Sequence, residues 1–254
     1  YGFIHIPFDI IGKLIAHPYF QRLRRISQLG LSSLVYPGAT HSRFHHAIGA
    51  MYLMDQAIQT LIKKGHKITK KEHEASLIAI LLHDIGHGPF SHALENSIVQ
   101  NLSHETISSI FMNELNVVFN GKLSLAIDIF KKRYKKQYLS DLIAGQLDVD
   151  RLDYLNRDSF YSGVNEGIIN SDRIISMLTI HENRLVVDYK GLYSIEKFII
   201  ARKLMYWQVY LHKTVLSAEH TLMNILKRAK ELVKRNVEIF TTPQFHHFLY
   251  EKKD

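Results

Sequence analysis

A chain of 254 residues, 46% of them hydrophobic, can bury a sizeable core and reads as one large domain rather than two. With no Cys it holds neither a disulfide nor a thiolate metal site, which suits a reducing cytoplasm, and any metal must use His, Asp or Glu. Thirty-two Lys and Arg against 24 Asp and Glu give a net charge of +8, a balance that attracts polyanions such as nucleic acid or a triphosphate without deciding a function.

The chain opens on Tyr1 rather than Met and stops at Asp254 without a natural ending, so residues 1–254 read as a single domain truncated at one or both ends. In chain order, apolar residues recur at three- and four-residue spacing over 48–62, 72–82, 104–115, 123–130, 193–211 and 217–233. That period predicts helices and a mainly α fold. Breakers stand at Pro37-Gly38, at Gly86 with Gly88-Pro89, and at Gly163, and the middle set ends a helix directly after His83-Asp84. The stretch 184–193, β-branched and aromatic around Lys190-Gly191, predicts a small β-hairpin. Basic runs at Lys131, Lys132, Arg133, Lys135, Lys136 and at Lys227, Arg228, Lys230, Lys234, Arg235 lie on helix-like segments. They favour solvated faces, with weak nucleic-acid binding as the alternative use. The longest apolar runs, such as Leu77 to Leu82, fall far short of the ~20 residues of a membrane span, so no membrane partner is expected.

Chemistry gathers around histidines: His41, His45 and His46 fall within six residues, and His83, His87 and His92 within ten. Grouped His with nearby Asp can hold a divalent ion and leave other imidazoles for proton transfer. A bare His-Asp dipeptide is ordinarily a capping Asp beside a satisfied core His. The context alters that reading. The chain carries Phe20-Gln-Arg-Leu-Arg24, Gln28-Leu-Gly30, Tyr36-Pro-Gly-Ala-Thr-His-Ser-Arg-Phe-His-His46, His83-Asp-Ile-Gly-His-Gly-Pro-Phe-Ser-His92 and Asp148-Val-Asp-Arg-Leu-Asp-Tyr-Leu-Asn-Arg-Asp158. Together these resemble the HD superfamily of phosphohydrolases, and most closely its dNTP triphosphohydrolases, the bacterial dGTPase-like and animal SAM-and-HD-domain enzymes.

The resemblance implies an HD-type helical fold with His46, His83, Asp84 and Asp150 as ligands of one or two divalent metals, whether Fe, Mn, Ni, Zn, Mg or Co. It makes His87 and His92 the catalytic imidazoles near the scissile phosphate, with His104 a third. It implies phosphate contacts from Arg43, Arg151 and Arg202, with Tyr210 accompanying Arg202. Gln28, Leu29, Tyr154 and Asp158 would then receive the deoxyribose, the polar members binding the 3′-hydroxyl and the Tyr154 ring crowding the 2′ position. His41 and His45 have weaker claims, and His45 reads as structural. One departure stands out: Ala16 takes the place of an Asp that reads an activating guanine nucleotide in the animal enzyme, so regulation is expected to differ.

The reading is a metal-dependent hydrolase that cleaves a deoxynucleoside triphosphate into deoxynucleoside and inorganic triphosphate, as a cytoplasmic homo-oligomer. Two alternatives stay open. The same centre could act on another nucleotide monoester or a phosphodiester, or the chain could be a non-catalytic nucleotide- or nucleic-acid-binding module.

Overall fold

The computed structural model describes residues 1–90 and 103–250, and the predicted catalytic His92 lies outside them. The fold is mainly α. Helices α1 (Asp9–Ala16) and α2 (Pro18–Gln21) lead through 3-10 turns into α3 (Arg43–Lys63), which is followed by α4 (Lys70–Leu82), α5 (His104–Val118), α6 (Ser124–Phe130), α7 (Gln137–Ala144) and α8 (Val149–Ser162). After α9 (Ser171–Met177), strands β1 (Leu178–His181) and β2 (Arg184–Val187) precede α10 (Leu192–Met205), a π-helical turn (Tyr206–Tyr210), α11 (Lys213–Lys234) and α12 (Pro243–Tyr250).

Local signals set the ends of the helices that carry the site. Thr69 caps α4: its backbone N–H donates to Glu72 Oε2 at 2.7 Å, and its hydroxyl accepts the Glu72 amide at 3.2 Å. Asp148 caps α8 by accepting the Arg151 amide at 2.8 Å, and Gly163, at φ +75°, closes that helix in the left-handed region. His45 reaches back from the first turn of α3 and accepts the Ser42 amide at 3.2 Å, the structural role read for it. Helix α3 packs against both α4 and α8, and its buried Ala47, Ala50, Leu53, Met54, Ala57 and Leu61 form the middle of the core. Helix α4 is buried from Ala75 to Leu82, a helix enclosed on all sides.

Two expectations shift. The hairpin exists, but β1 precedes the predicted stretch and the reversal falls at Glu182-Asn183, at φ +48° and +62°. Two successive left-handed residues are what a two-residue hairpin turn of matching twist requires. Lys190-Gly191 instead sits in a 3-10 turn, where Asp188 accepts the Lys190 amide at 2.9 Å and starts the approach to α10. The Lys131–Lys136 run is a connection rather than a helix, with Lys132 at φ +57° and Lys136 turned onto Glu72. Among the described residues, no helix is long and apolar enough to cross a membrane.

Candidate active site

Three helices bring four side chains to one point. His46 comes from the first turn of α3, His83 and Asp84 from the end of α4, and Asp150 from the first turn of α8. Nitrogen and oxygen atoms of His46, His83 and Asp84 lie within 4.8 Å of one another, and Asp150 Oδ1 stands 3.0 Å from His46 Nε2 and 3.5 Å from His83 Nε2. The four predicted metal ligands therefore converge.

Each imidazole is fixed through its other nitrogen. His46 Nδ1 donates to Asp153 Oδ2 at 2.8 Å, and His83 Nδ1 donates to the Ile80 carbonyl at 2.6 Å. That assignment turns both Nε2 atoms toward the cluster, where each can offer a lone pair to a metal in place of a proton, and both are buried without a hydrogen bond of acceptable geometry. The local field also asks for a cation. Burial alone would push His46 down, but Asp150 and Asp153 outweigh it and hold the imidazole up at about 10. A set of two imidazoles and two carboxylates, with orphaned lone pairs aimed inward, fits a divalent metal of the first transition row or Mg.

A second group shares Asp84. Donor atoms of Asp84, His87 and His104 lie within 4.8 Å of one another, and the rings of His87 and His104 stack at 4.0 Å. Burial pushes the His87 imidazole down to about 4, against the pull of Asp84 3.4 Å away. The turn that carries His87 is clamped from two sides. Arg22 donates to the carbonyls of Ile85 and His87, while Gly86 N–H donates to Ser108 Oγ at 2.8 Å and that hydroxyl donates to the His83 carbonyl at 2.7 Å.

The predicted substrate residues divide between two adjoining cavities. Gln28, Leu29, Arg43, Tyr154, Asp158 and Tyr210 line one of 370 Å³. Arg151 and Arg202 line another, of 1070 Å³, and Tyr206 and Leu211 border both. Arg43 pairs with Asp84, which connects the smaller cavity to the histidine cluster. Arg151 pairs with Asp148 and donates to the Gly145 carbonyl at 2.6 Å. Burial and the neighbouring charge of Asp150 push Asp148 up to about 7.

Asp153, Asp148, Arg22 and Ser108 also support the site, although the motifs do not single them out. The first two carried a signal, since Asp148, Asp150 and Asp153 fall within six residues at a helix start and 150 and 153 share a face. Arg22 and Ser108 act by long-range contact with backbone carbonyls, which no spacing displays. The apolar period over 193–211 does not distinguish the π-helical turn that brings Tyr206 beside Tyr210 from ordinary helix.

An HD domain model matches residues 43–158, and a model of an HD associated region matches residues 169–242. A crystal structure of a phosphohydrolase from Bacteroides thetaiotaomicron superposes with a TM-score of 0.96 at 58% identity, covering 99% of this chain and 63% of that one. The uncharacterized Bacillus subtilis protein YwfO is 36% identical over 99% of this chain and 59% of its own length. The Dictyostelium discoideum homolog of the deoxynucleoside triphosphate triphosphohydrolase SAMHD1 is 28% identical over 96% of this chain and 51% of its own. The chain thus spans between about half and two thirds of these relatives.

Proposed function

We infer that this chain, which belongs to the HD-domain phosphohydrolases, hydrolyses deoxynucleoside triphosphates to deoxynucleoside and inorganic triphosphate. The observation that carries the reading is the juxtaposition of a 370 Å³ cavity, lined by Gln28, Leu29, Arg43, Tyr154, Asp158 and Tyr210, with the histidine–aspartate cluster through the Arg43–Asp84 pair. Relatives named as dNTP triphosphohydrolases in Dictyostelium discoideum and Danio rerio add support.

His46, His83, Asp84 and Asp150 would hold the divalent ion. When bound, it supplies Lewis-acid activation of water and of a phosphoryl oxygen. Around it, the chain's own groups divide the work. Arg43, beside Asp84, grips the phosphate nearest the cluster, and Arg151 and Arg202 take the phosphates beyond it with their planar, paired donors. Asp148 and the Gly145 carbonyl hold the Arg151 guanidinium in place. Water attacks the α-phosphorus while the bond to the 5′-oxygen breaks. His87 and His104, stacked at Asp84, accept the proton of the attacking water and return one to the leaving oxygen, with His92 a third candidate outside the described residues. The apolar and aromatic wall of Leu29, Tyr154, Tyr210 and Leu211 excludes water from the sugar and base, and Tyr154 stands where a 2′-hydroxyl would crowd it.

The test is a screen of the four dNTPs and four NTPs with Mg, Mn, Fe and Co, separating triphosphate from pyrophosphate and phosphate. Deoxynucleoside and triphosphate in equal amounts are expected, with dNTPs turned over faster than NTPs. Orthophosphate or a nucleoside monophosphate as first product would overturn the reading and favour another phosphoester substrate. Tight DNA or RNA binding without turnover under any of these ions would favour a binding module.

A further inference from the structure

His41 is buried at 1% exposure, and no step above uses it. Its Nε2 lies 2.7 Å from Asp158 Oδ1. An ionised carboxylate only accepts, so Nε2 carries the hydrogen and donates it. The other oxygen, Asp158 Oδ2, accepts from the Tyr210 hydroxyl at 2.8 Å. Two fixed donors therefore hold the carboxylate in one plane and leave each oxygen a further lone pair. The imidazole is itself held flat against Tyr161, with ring centres 4.5 Å apart and planes at 17°.

The main chain of the same residue does a second job. The His41 carbonyl accepts the Gln28 amide at 3.0 Å, next to a single bridge between Ser27 and Ser42. Gln28 Oε1 is a buried acceptor without a hydrogen-bond partner, and both Gln28 and Asp158 line the 370 Å³ cavity. One residue thus registers two acceptors that come from distant parts of the chain, Gln28 through its backbone and Asp158 through its ring. Tyr161 belongs to the arrangement because α8 runs close over the Pro37-Gly38 turn: a Cβ on Gly38 would meet the Tyr161 carbonyl at 2.6 Å.

We propose that His41 is a positioning residue that aims the side chains of Gln28 and Asp158 at one hydroxyl of the ligand, an oxygen of one of them accepting its single hydrogen, and so sets selectivity for a sugar that carries its 3′-hydroxyl. The proposal rests on reading this cavity as the sugar site. A site built to pair a hydroxyl rejects an analogue lacking it, because a buried polar group such as Gln28 Oε1 is then left unpaired, and the rejection weakens when that group is free to turn away.

The experiment compares kcat/KM for a dNTP and its 2′,3′-dideoxy counterpart in the wild type, His41→Asn and His41→Gln, with metal content and thermal unfolding measured on each. The Gln amide nitrogen reaches as far as imidazole Nε2, whereas the Asn nitrogen stops at the position of Nδ1. The wild type should favour the hydroxyl-bearing substrate by about 100-fold or more. His41→Asn should lose at least about tenfold of that preference, through a higher KM for the dNTP and little change for the dideoxynucleotide, with metal content intact. His41→Gln should keep the preference within about threefold, and it decides the matter if the Asn variant does not fold. A folded Asn variant with the wild-type preference, or a Gln variant that loses it, overturns the positioning role alone. A wild type indifferent to the 3′-hydroxyl overturns the sugar-site reading and the proposal with it.

Discussion

His46 shows how a ligand is made from a core residue. Its side chain is fully buried, yet only one of its two nitrogens is satisfied by the protein, through Asp153. Asp153 is itself fully buried, and its two oxygens also take Arg157 at 2.8 Å and the Tyr1 hydroxyl at 2.8 Å. The charge of Asp153 raises the basicity of the imidazole it holds, and partners of this kind are worth about 10- to 100-fold in metal affinity. Asp153→Asn keeps the shape and an acceptor oxygen but removes the charge. We expect metal affinity to fall by about 10- to 100-fold in a titration against a competing chelator, with helicity unchanged. Unaltered affinity would show that Asp153 serves only the packing of α8 on α3. None of this was legible from the His-Asp pair alone; the ligand residues were visible as a pattern, but their supports are visible only as contacts.

At the scale of elements, the site depends on how closely the turn after α4 meets α5. A Cβ on Gly86 would collide with the His104 carbonyl and the Ser108 amide, so the glycine is what lets His87 stack on His104. Gly86→Ala should cost about 1–3 kcal/mol of stability and separate the two imidazoles, lowering turnover while leaving far-UV circular dichroism intact. Gly12, inside α1 with nothing within 4 Å of its added Cβ, is the control: Gly12→Ala should be neutral or stabilise by up to about 1 kcal/mol. The sequence marked the Gly86 break as a helix end, but the close approach it permits depends on α5, remote in the chain. Helix positions were legible because the 3.6-residue period persists through α3, α5, α6 and α11, whereas the hairpin was misplaced because its turn residues, Glu182-Asn183, reverse the chain through backbone conformation without a glycine. The start of α4 carries a pH-sensitive tie. Burial would push the Glu72 carboxyl up, but hydrogen bonds from Lys136, Thr69 and Tyr134 outweigh it and hold it at about 2, below its ordinary 4.5. A depressed value means stability present above the ordinary range and lost as pH falls toward 2. In urea unfolding, Glu72→Gln should therefore be less stable than the wild type at pH 7, with the gap closing between about pH 5 and pH 2. A gap constant across that window would assign Glu72 a role in packing only.

On the scale of the whole molecule, the cluster is a junction between segments that lie far apart in the sequence. Residues 46, 83, 84 and 150 belong to α3, the end of α4 and α8, and their meeting is a product of the entire fold from Phe20 to Asp158. The five motifs pointed to these positions because each local piece has its own sequence signature; the division of the arginines between two cavities did not follow, because it depends on where α10 and the π-helical turn lie against α8. An ion held by that junction binds the folded chain and not the separated segments. Loading at about 100 times its dissociation constant should then stabilise the fold by about 2.7 kcal/mol. For a chain of this size, each kcal/mol moves the unfolding midpoint by roughly 2–4 °C, so the shift should be roughly 5–11 °C. A chelator should reverse it, and re-addition of the ion should restore it. Asp84→Ala should start from a lower midpoint, because it also removes the Arg43–Asp84 pair, and should then respond to neither ion nor chelator. If the wild-type midpoint stays the same with Mg, Mn, Fe, Co, Ni, Zn or chelator, the cluster is not a metal centre, and its orphaned imidazole nitrogens need another partner.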